Sequence, residues 1–210
     1  MASTKALPDG RATYPIGPMN ANEVIQKFRE TGALLEGHFI LTSGLHSGVY
    51  LQCALVLQHP RVAEEFARAI ADQFLTQNVA TVASPAIGGI VIGYEVARAL
   101  DARFIWTERQ DGAMVLRRGF TVSPGEKVLV VEDVVTTGGS TRETVAALKA
   151  CGAEVIGAAS VIDRSGGHAD VSVPRISLAT LDVAAVDPSV CDLCRQGTPA
   201  VKPGSRKGKQ

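Results

Sequence analysis

The 210-residue chain predicts an α/β fold, a central parallel sheet flanked by helices with a small β element near the N-terminus. Three observations predict it. Uninterrupted apolar runs such as "KVLVVE" (127–132) and "EVIGAASVID" (154–163) suit strands buried on both faces. Between them lie segments with helical spacing, such as "STRETVAALKACG" (140–152). One run, "VLVVEDVVTTGGST" (128–141), ends in two acids followed by hydroxyl residues and a glycine pair. In open parallel sheets, ligands bind beyond the carboxyl ends of strands, where such a run would end.

In chain order, residues 1–20 are rich in Pro, Gly and polar residues and predict a loose arm. Val24, Ile25 and Phe28 place a helix over 22–32, closing at Gly32. "HFILTSGLHSGVYLQCALVL" (38–57) reads as two short strands around a Ser-Gly-rich turn. Residues 60–78 form an amphipathic helix, with Pro60 at its first position and a stripe of Ala63, Phe66, Ala67, Ile70 and Phe74. A strand over 79–83, a helix over 88–100 and a strand over 103–107 follow, then a long polar connection over 108–126. Strands at 127–132, 154–163 and 175–181, with the helix 140–152, complete the alternation. The basic, Gly-rich end "KPGSRKGKQ" predicts a mobile tail, and no internal repeat is present.

Composition narrows the function. Lys plus Arg equals Asp plus Glu at 21 each, so no general electrostatic footprint for nucleic acid exists. No apolar run approaches the ~18–20 residues of a membrane span. The first 20 residues lack the apolar core of a secretory signal. Cys53, Cys151, Cys191 and Cys194 are few and unevenly spread, which fits a reducing cytoplasm.

The acid pair, Glu132 and Asp133, leads into "VVTTGGS" and a helix from about Ser140. A Gly-rich turn at a helix start offers free backbone N–H groups and the positive end of the helix dipole, which suit a phosphate monoester. Thr136, Thr137, Ser140 and Thr141 add hydroxyls, and Gly138 and Gly139 permit close approach. Neither a GxxxxGK[ST] loop nor a GxGxxG fingerprint occurs, so a triphosphate or dinucleotide site is not expected. Carboxylates accept hydrogen bonds and vicinal sugar hydroxyls donate them; acids beside a phosphate site therefore point to a sugar phosphate.

The run "VLVVEDVVTTGGST" resembles the phosphoribosyl pyrophosphate (PRPP) signature of type I phosphoribosyltransferases. The resemblance implies that Glu132 and Asp133 hold the ribose 2′ and 3′ hydroxyls. It further implies that Thr136, Thr137, Gly138, Gly139, Ser140 and Thr141 hold the 5′-phosphate, with Val134 and Val135 also in the PRPP site. "HFILTSGLHSGVYLQ" (38–52) is similar to the N-terminal hood of the orotate enzymes of that family, and "SPAIGGIVIG" (84–93) to their pyrophosphate loop, with Ile87 and Gly88 in it. "SVIDRSGG" (160–167) is similar to the segment whose arginine pairs with the orotate carboxylate, which makes that residue Arg164. An arginine fork matches a carboxylate bidentately. Ser43, Gly44, Tyr50 and Thr136 would complete the base site.

Two departures stand out. Thr42 occupies the place of a lysine in the hood turn of the better-known enzymes. The loop "TERQDGAMVLRRGFTVSPGE" (107–126) holds neither lysine nor histidine, although the family's loop is lysine-rich and carries a histidine. Arg109 keeps one member of the family's basic pair, and Arg117 and Arg118 stand close enough to replace lost charge. The resemblance implies transfer of the 5-phosphoribosyl group from PRPP to orotate, with Arg109 and Asp133 catalytic. Mg²⁺ would be held mainly by PRPP, with Asp133 reaching it through water and no dedicated metal cage. A homodimer is implied, because the family's loop reaches across one. The corresponding organisation is an arm over 1–20, one domain over 21–190 with the hood at about 21–58, and a tail over 191–210.

That tail holds "CDLCRQG", a lone CxxC without the second pair that a four-cysteine zinc site needs, and an inert or weakly structural role is expected. It looks like the tail of some bacterial orotate enzymes. His38, His46, His59 and His168 show no metal-ligand spacing, and His46 is the one placed to face the site from the hood turn. Another base specificity is opposed by Arg164 and the hood segment. A ligand-sensing regulator on the same fold is opposed by the neutral charge and the lack of a helix-turn-helix candidate.

Overall fold

The computed structural model describes residues 19–203 except Thr42, Asp182 and Ala184. The arm over 1–18, Thr42 and the end of the tail from 204 lie outside the described residues.

Helix α1 (Ala21–Glu30) opens on a capping box: Asn20 accepts from the Asn22 and Glu23 amides, and Glu23 accepts from the Asn20 amide. An antiparallel hairpin follows, β1 (Leu34–Ile40) and β2 (His46–Leu51). The predicted second strand does not run on to 57. Cys53, Val56 and Leu57 lie one helical turn apart and are buried together in a short helix, α2 (Cys53–Leu57). Helix α3 (Pro60–Ala71) ends earlier than expected. Then come β3 (Thr81–Pro85), α4 (Gly89–Leu100) and β4 (Arg103–Gln110).

The predicted polar connection over 108–126 contains a hairpin instead. Strand β4 continues to Gln110 and turns at Asp111-Gly112, both at positive φ, into the antiparallel β5 (Ala113–Leu116). Asp-Gly is a strong signal for such a two-residue turn. The remaining elements are β6 (Lys127–Val135), α5 (Gly139–Ala150), β7 (Glu154–Asp163), β8 (Arg175–Thr180), β9 (Ala185–Val186), a 3₁₀ turn over Pro188–Val190 and α6 (Asp192–Arg195). No helix among the described residues is long and apolar enough to cross a membrane.

The main sheet has the order β5-β4-β3-β6-β7-β8, parallel except for β5. Strand β6 shows why it is apolar on both faces. Val128 and Val130 pack with Val145 and Leu148 of α5, whereas Leu129 and Val131 pack with Phe66 and Ile70 of α3 and Ile92 and Val96 of α4. After β3 the chain crosses to β4 on one side, and after β6 it crosses to β7 on the other. The strand order therefore reverses between β3 and β6, the place where open α/β sheets form a ligand crevice.

A second, three-stranded sheet, β1-β2-β9, makes the hood. Strand β9 reaches it from the far end of the chain, pairing His46 with Val186 and Ser47 with Ala185. Val201 returns to the opposite edge: its amide donates to the His38 carbonyl at 2.8 Å, and its carbonyl accepts from the Ile40 amide at 2.9 Å.

Candidate active site

A cavity of about 260 Å³ opens at the reversal point. Pro85, Ala86 and Gly88 wall it on the β3–α4 side, and the continuous stretch from Glu132 to Thr141 on the β6–α5 side. Both neighbouring helices begin at this cavity, α4 after Gly88 and α5 after Gly138, and neither start has a side-chain cap. First-turn N–H groups lacking a cap are free to bind an anion, and the dipole favours one. Two such starts on one cavity can take two anionic groups.

Both N-caps have to be glycine. Gly138 has φ +76°, and a Cβ there would stand 3.0 Å from Val171 Cγ1 and 3.1 Å from the Asp170 carbonyl oxygen. At Gly88 a Cβ would stand 2.8 Å from Asp133 Oδ1, so the missing side chain leaves room for the carboxylate. Thr136, Thr137 and Ser140 are exposed along the loop, and Thr141 is buried.

Between the helix starts lies the acid pair. Glu132 is buried and Asp133 half-buried. The Val134 amide donates to Asp133 Oδ1 at 2.8 Å. Burial pushes Glu132 well above the usual carboxylate range, and the neighbouring Asp133 charge adds to it. Burial raises Asp133 as well, against the lowering effect of its hydrogen bonds with Glu132, the Val134 amide and Cys53. Cys53, on α2, stands against the pair, and its thiol is pushed up by burial and then by Asp133 and Glu132.

Arg164 arrives from the next strand over. Its amide donates to the Val135 carbonyl at 2.8 Å, which fixes it beside the end of β6. The preceding Asp163 is buried and accepts from the Ser165 hydroxyl (2.6 Å) and amide (2.7 Å), the Gly167 amide (3.0 Å) and Arg175 (2.8 Å). Burial raises the Asp163 carboxyl, but the Ser165 bonds and Arg175 outweigh it and hold it low. This knot sets the loop that presents Arg164. Burial lowers the Arg164 guanidinium, opposed by Cys53 and Tyr50. Its Nε is buried and has no hydrogen-bond partner among the described residues. A buried guanidinium nitrogen left unpaired is costly unless a ligand completes it. Tyr50 is half-buried with its ring 5.8 Å from Phe39, and Ser43 and Gly44 are exposed at the tip of the hood hairpin.

Other expected residues are not brought to the cavity. Ile87 is 85% exposed and outside its lining, and Arg164, Tyr50, Ser43 and Gly44 do not line it either. Arg109, on the β4–β5 hairpin, binds the Gly112 carbonyl and Glu143 of α5 (2.7 Å). Arg117 and Arg118 both pair with Glu108, at 3.2 and 2.6 Å. Their sequence announces charge but not reach, since long side chains at a sheet edge take the nearest acid. His46, a lesser candidate for the site, is turned into the hood, with Nδ1 2.8 Å from His38 Nε2 and Cys191 and Cys194 alongside. The histidines that looked scattered meet because the hairpin register sets the end of β1 against the start of β2. Sequence reading missed this group, and it missed Cys53, which was assigned to a strand.

Comparison with known proteins agrees with this architecture. The family model of the phosphoribosyl transferase domain matches residues 54–191. The orotate phosphoribosyltransferase of Desulforamulus reducens is 53% identical over 189 residues, covering 90% of this chain and 99% of that protein. That of Caldicellulosiruptor bescii is 52% identical over 189 residues, covering 90% and 100%. Among solved structures, orotate phosphoribosyltransferase from Aeropyrum pernix superposes with a TM-score of 0.62 at 27% identity, over 75% of this chain and 93% of that one.

The raised carboxyl of Glu132 makes a prediction about the ligand-free protein. A carboxyl whose folded pKa is raised contributes stability below its unfolded pKa and loses it as pH rises through the folded value. Glu132→Gln should therefore raise the melting temperature at neutral pH, by the equivalent of about 1 kcal/mol or more. The gain should shrink as pH falls toward 4.5. Calorimetry over pH 4–8 measures it, and a neutral or destabilising effect at pH 8 would contradict the burial argument.

Proposed function

The chain belongs to the orotate phosphoribosyltransferase family, and from that premise we propose that it moves the 5-phosphoribosyl group of PRPP onto orotate. The products are pyrophosphate and orotidine 5′-phosphate, on the route to pyrimidine nucleotides. The observation that carries the reading is the meeting, at one sheet edge, of a buried acid pair, an uncapped helix start and an arginine with an unpaired buried Nε.

Each part has a task. Glu132 and Asp133 accept from the ribose hydroxyls, whose donors relieve the cost of burying two adjacent acids. The start of α5 takes the 5′-phosphate and the start of α4 the pyrophosphate. Arg164 forks onto the orotate carboxylate, with Tyr50, Ser43, Gly44 and Thr136 around the ring. As C1′–O breaks, positive character grows on the ribose and negative charge on the departing pyrophosphate. The nearby acids favour the first and helix N–H groups the second. Orotate attacks through a ring nitrogen that can be anionic, so no strong protein base is required. Catalysis is then positioning and charge neutralisation.

The donors at the cavity fit a magnesium ion, since Glu132 and Asp133 offer only oxygens and Mg²⁺ binds chiefly through substrate phosphates and water. Bound so, Mg²⁺ would offset pyrophosphate charge, with Asp133 reaching it through water.

A homodimer fits the position of Arg109, which is bound to Glu143 of its own α5 rather than directed at its own cavity. Val91 and Tyr94, 46% and 58% exposed on α4, with Ile87 just before it, offer an apolar face for a partner copy. The four cysteines are free, which fits the reducing cytoplasm.

The test is loss of orotate absorbance on adding PRPP and Mg²⁺. Arg164→Ala should raise the orotate KM by about tenfold to a hundredfold, as expected for losing a charge-assisted pair, with PRPP binding kept. Asp133→Asn should lower kcat by about a hundredfold or more. An Arg164→Ala enzyme with unchanged orotate KM would overturn the base assignment.

Arg109→Ala and Asp133→Asn, each strongly impaired alone, should regain part of the wild-type rate when subunits are mixed and exchanged. One hybrid cavity would then have intact acids and an intact loop from its partner. No recovery in subunit-exchanged mixtures would remove the shared-site dimer.

A further inference from the structure

We infer that His38, His46, Cys191 and Cys194 form a closed zinc site that fastens the end of the chain to the hood. Each offers one ligand atom, and the four atoms lie within 4.8 Å of one another. Cys191 Sγ is 3.4 Å from His38 Nε2, Cys194 Sγ is 3.3 Å from His46 Nδ1, and Cys194 Sγ is 3.8 Å from His38 Nε2. Zinc binds sulfur at about 2.3 Å and nitrogen at about 2.0–2.1 Å, which sets tetrahedral ligands roughly 3.3–3.8 Å apart. The sulfur–nitrogen distances already fall there. The two ring nitrogens, at 2.8 Å, would open by about half an ångström around an ion.

Two further features favour a metal over chance proximity. His38 Nδ1 lies 2.7 Å from the Thr198 carbonyl oxygen, which can only accept. Nδ1 therefore carries the proton, and Nε2 turns its lone pair to the cluster. A zinc-binding histidine is usually fixed in this way through its other nitrogen. Moreover, both cysteines are free thiols, and His38, His46 and Cys191 are buried. Two sulfur and two nitrogen donors with no open position suit structural zinc.

Local structure shows what the ion would do. Among the described residues, strand β9 pairs two residues with β2, α6 is a single turn, and Val201 adds a bridge to Phe39. These are slight contacts for a segment that closes the hood from the far end of the chain. Zinc would join β1, β2 and the CxxC turn at one point, next to the hairpin whose tip holds Ser43 and Gly44. The hood's dependence on zinc in orotate binding rests on the function proposed above; the metal site does not.

The experiment is metal analysis of full-length protein grown with added zinc and passed through gel filtration with chelator. Wild type should retain one zinc per chain, and so should Cys151→Ser, which alters an exposed cysteine outside the cluster. The Cys191→Ser/Cys194→Ser double variant should retain none and show a raised orotate KM with the PRPP KM little changed. Should that variant fail to fold, wild type reconstituted with Co²⁺ gives the answer, through the absorption of a tetrahedral cobalt–thiolate centre. Zinc-free wild type without that cobalt spectrum, a Cys191–Cys194 disulfide in freshly purified protein, or equal zinc in the double variant would each overturn the site. An unchanged orotate KM in a zinc-free, folded variant would overturn only its link to the hood.

Discussion

Glu132 and Asp133 are withdrawn from water at the end of β6, and neither forms an ion pair among the described residues. A buried carboxylate with a half-buried one beside it is unfavourable without compensation. The strand places them there because β6 is apolar on both faces up to Val131, and the residues just past it fall in the crevice where strand order reverses. The rest of the site answers to this cost. Gly88 has no side chain because the Asp133 carboxylate occupies that space, and α4 and α5 bring positive helix ends to either side. A ligand rich in hydroxyl donors, with an anion at each end, satisfies all of these groups together. The fold thus holds strain in the empty state that substrate relieves, a common arrangement where binding energy is directed at a reacting centre.

The site was legible in the sequence to the degree that it is local. The acids, the hydroxyls and the glycine turn are contiguous, so strand, loop and helix start could be read in a single run from 128 to 141. Arg164 follows another strand end in the same sheet, and a parallel sheet brings strand ends to one edge. What could not be read depends on pairing across distance. The β4–β5 hairpin carried an Asp-Gly signal, but its polar flanks obscured the strands. Cys53 seemed to extend a strand, because five residues are too few for periodicity to separate helix from strand. His38 and His46 are eight apart, which suits neither a helix face nor a local metal motif, and only a hairpin with its turn at 41–45 makes them neighbours. Their approach to Cys191 and Cys194 depends further on β9 returning to the hood.

The arginines of the β4–β5 hairpin show the difference between possessing charge and committing it. Arg117 and Arg118 share Glu108, whose carboxyl is held low by Arg118 first and then by Trp106, and Arg109 shares Glu143. All three arginines are well exposed, and exposed pairs contribute little net stability because solvent screens them. They are consequently easy to exchange. A diphosphate can offer an arginine more charge-assisted bonds than a single carboxylate does. The hairpin thus keeps its cations paired at the surface. Guanidinium forks also match a diphosphate geometrically, so the lysine-free loop still carries groups able to bind one. The same reasoning explains why Arg164 is treated differently. It follows the end of β7, its Nε is buried and unpaired among the described residues, and the neighbouring Asp163 knot sets its loop.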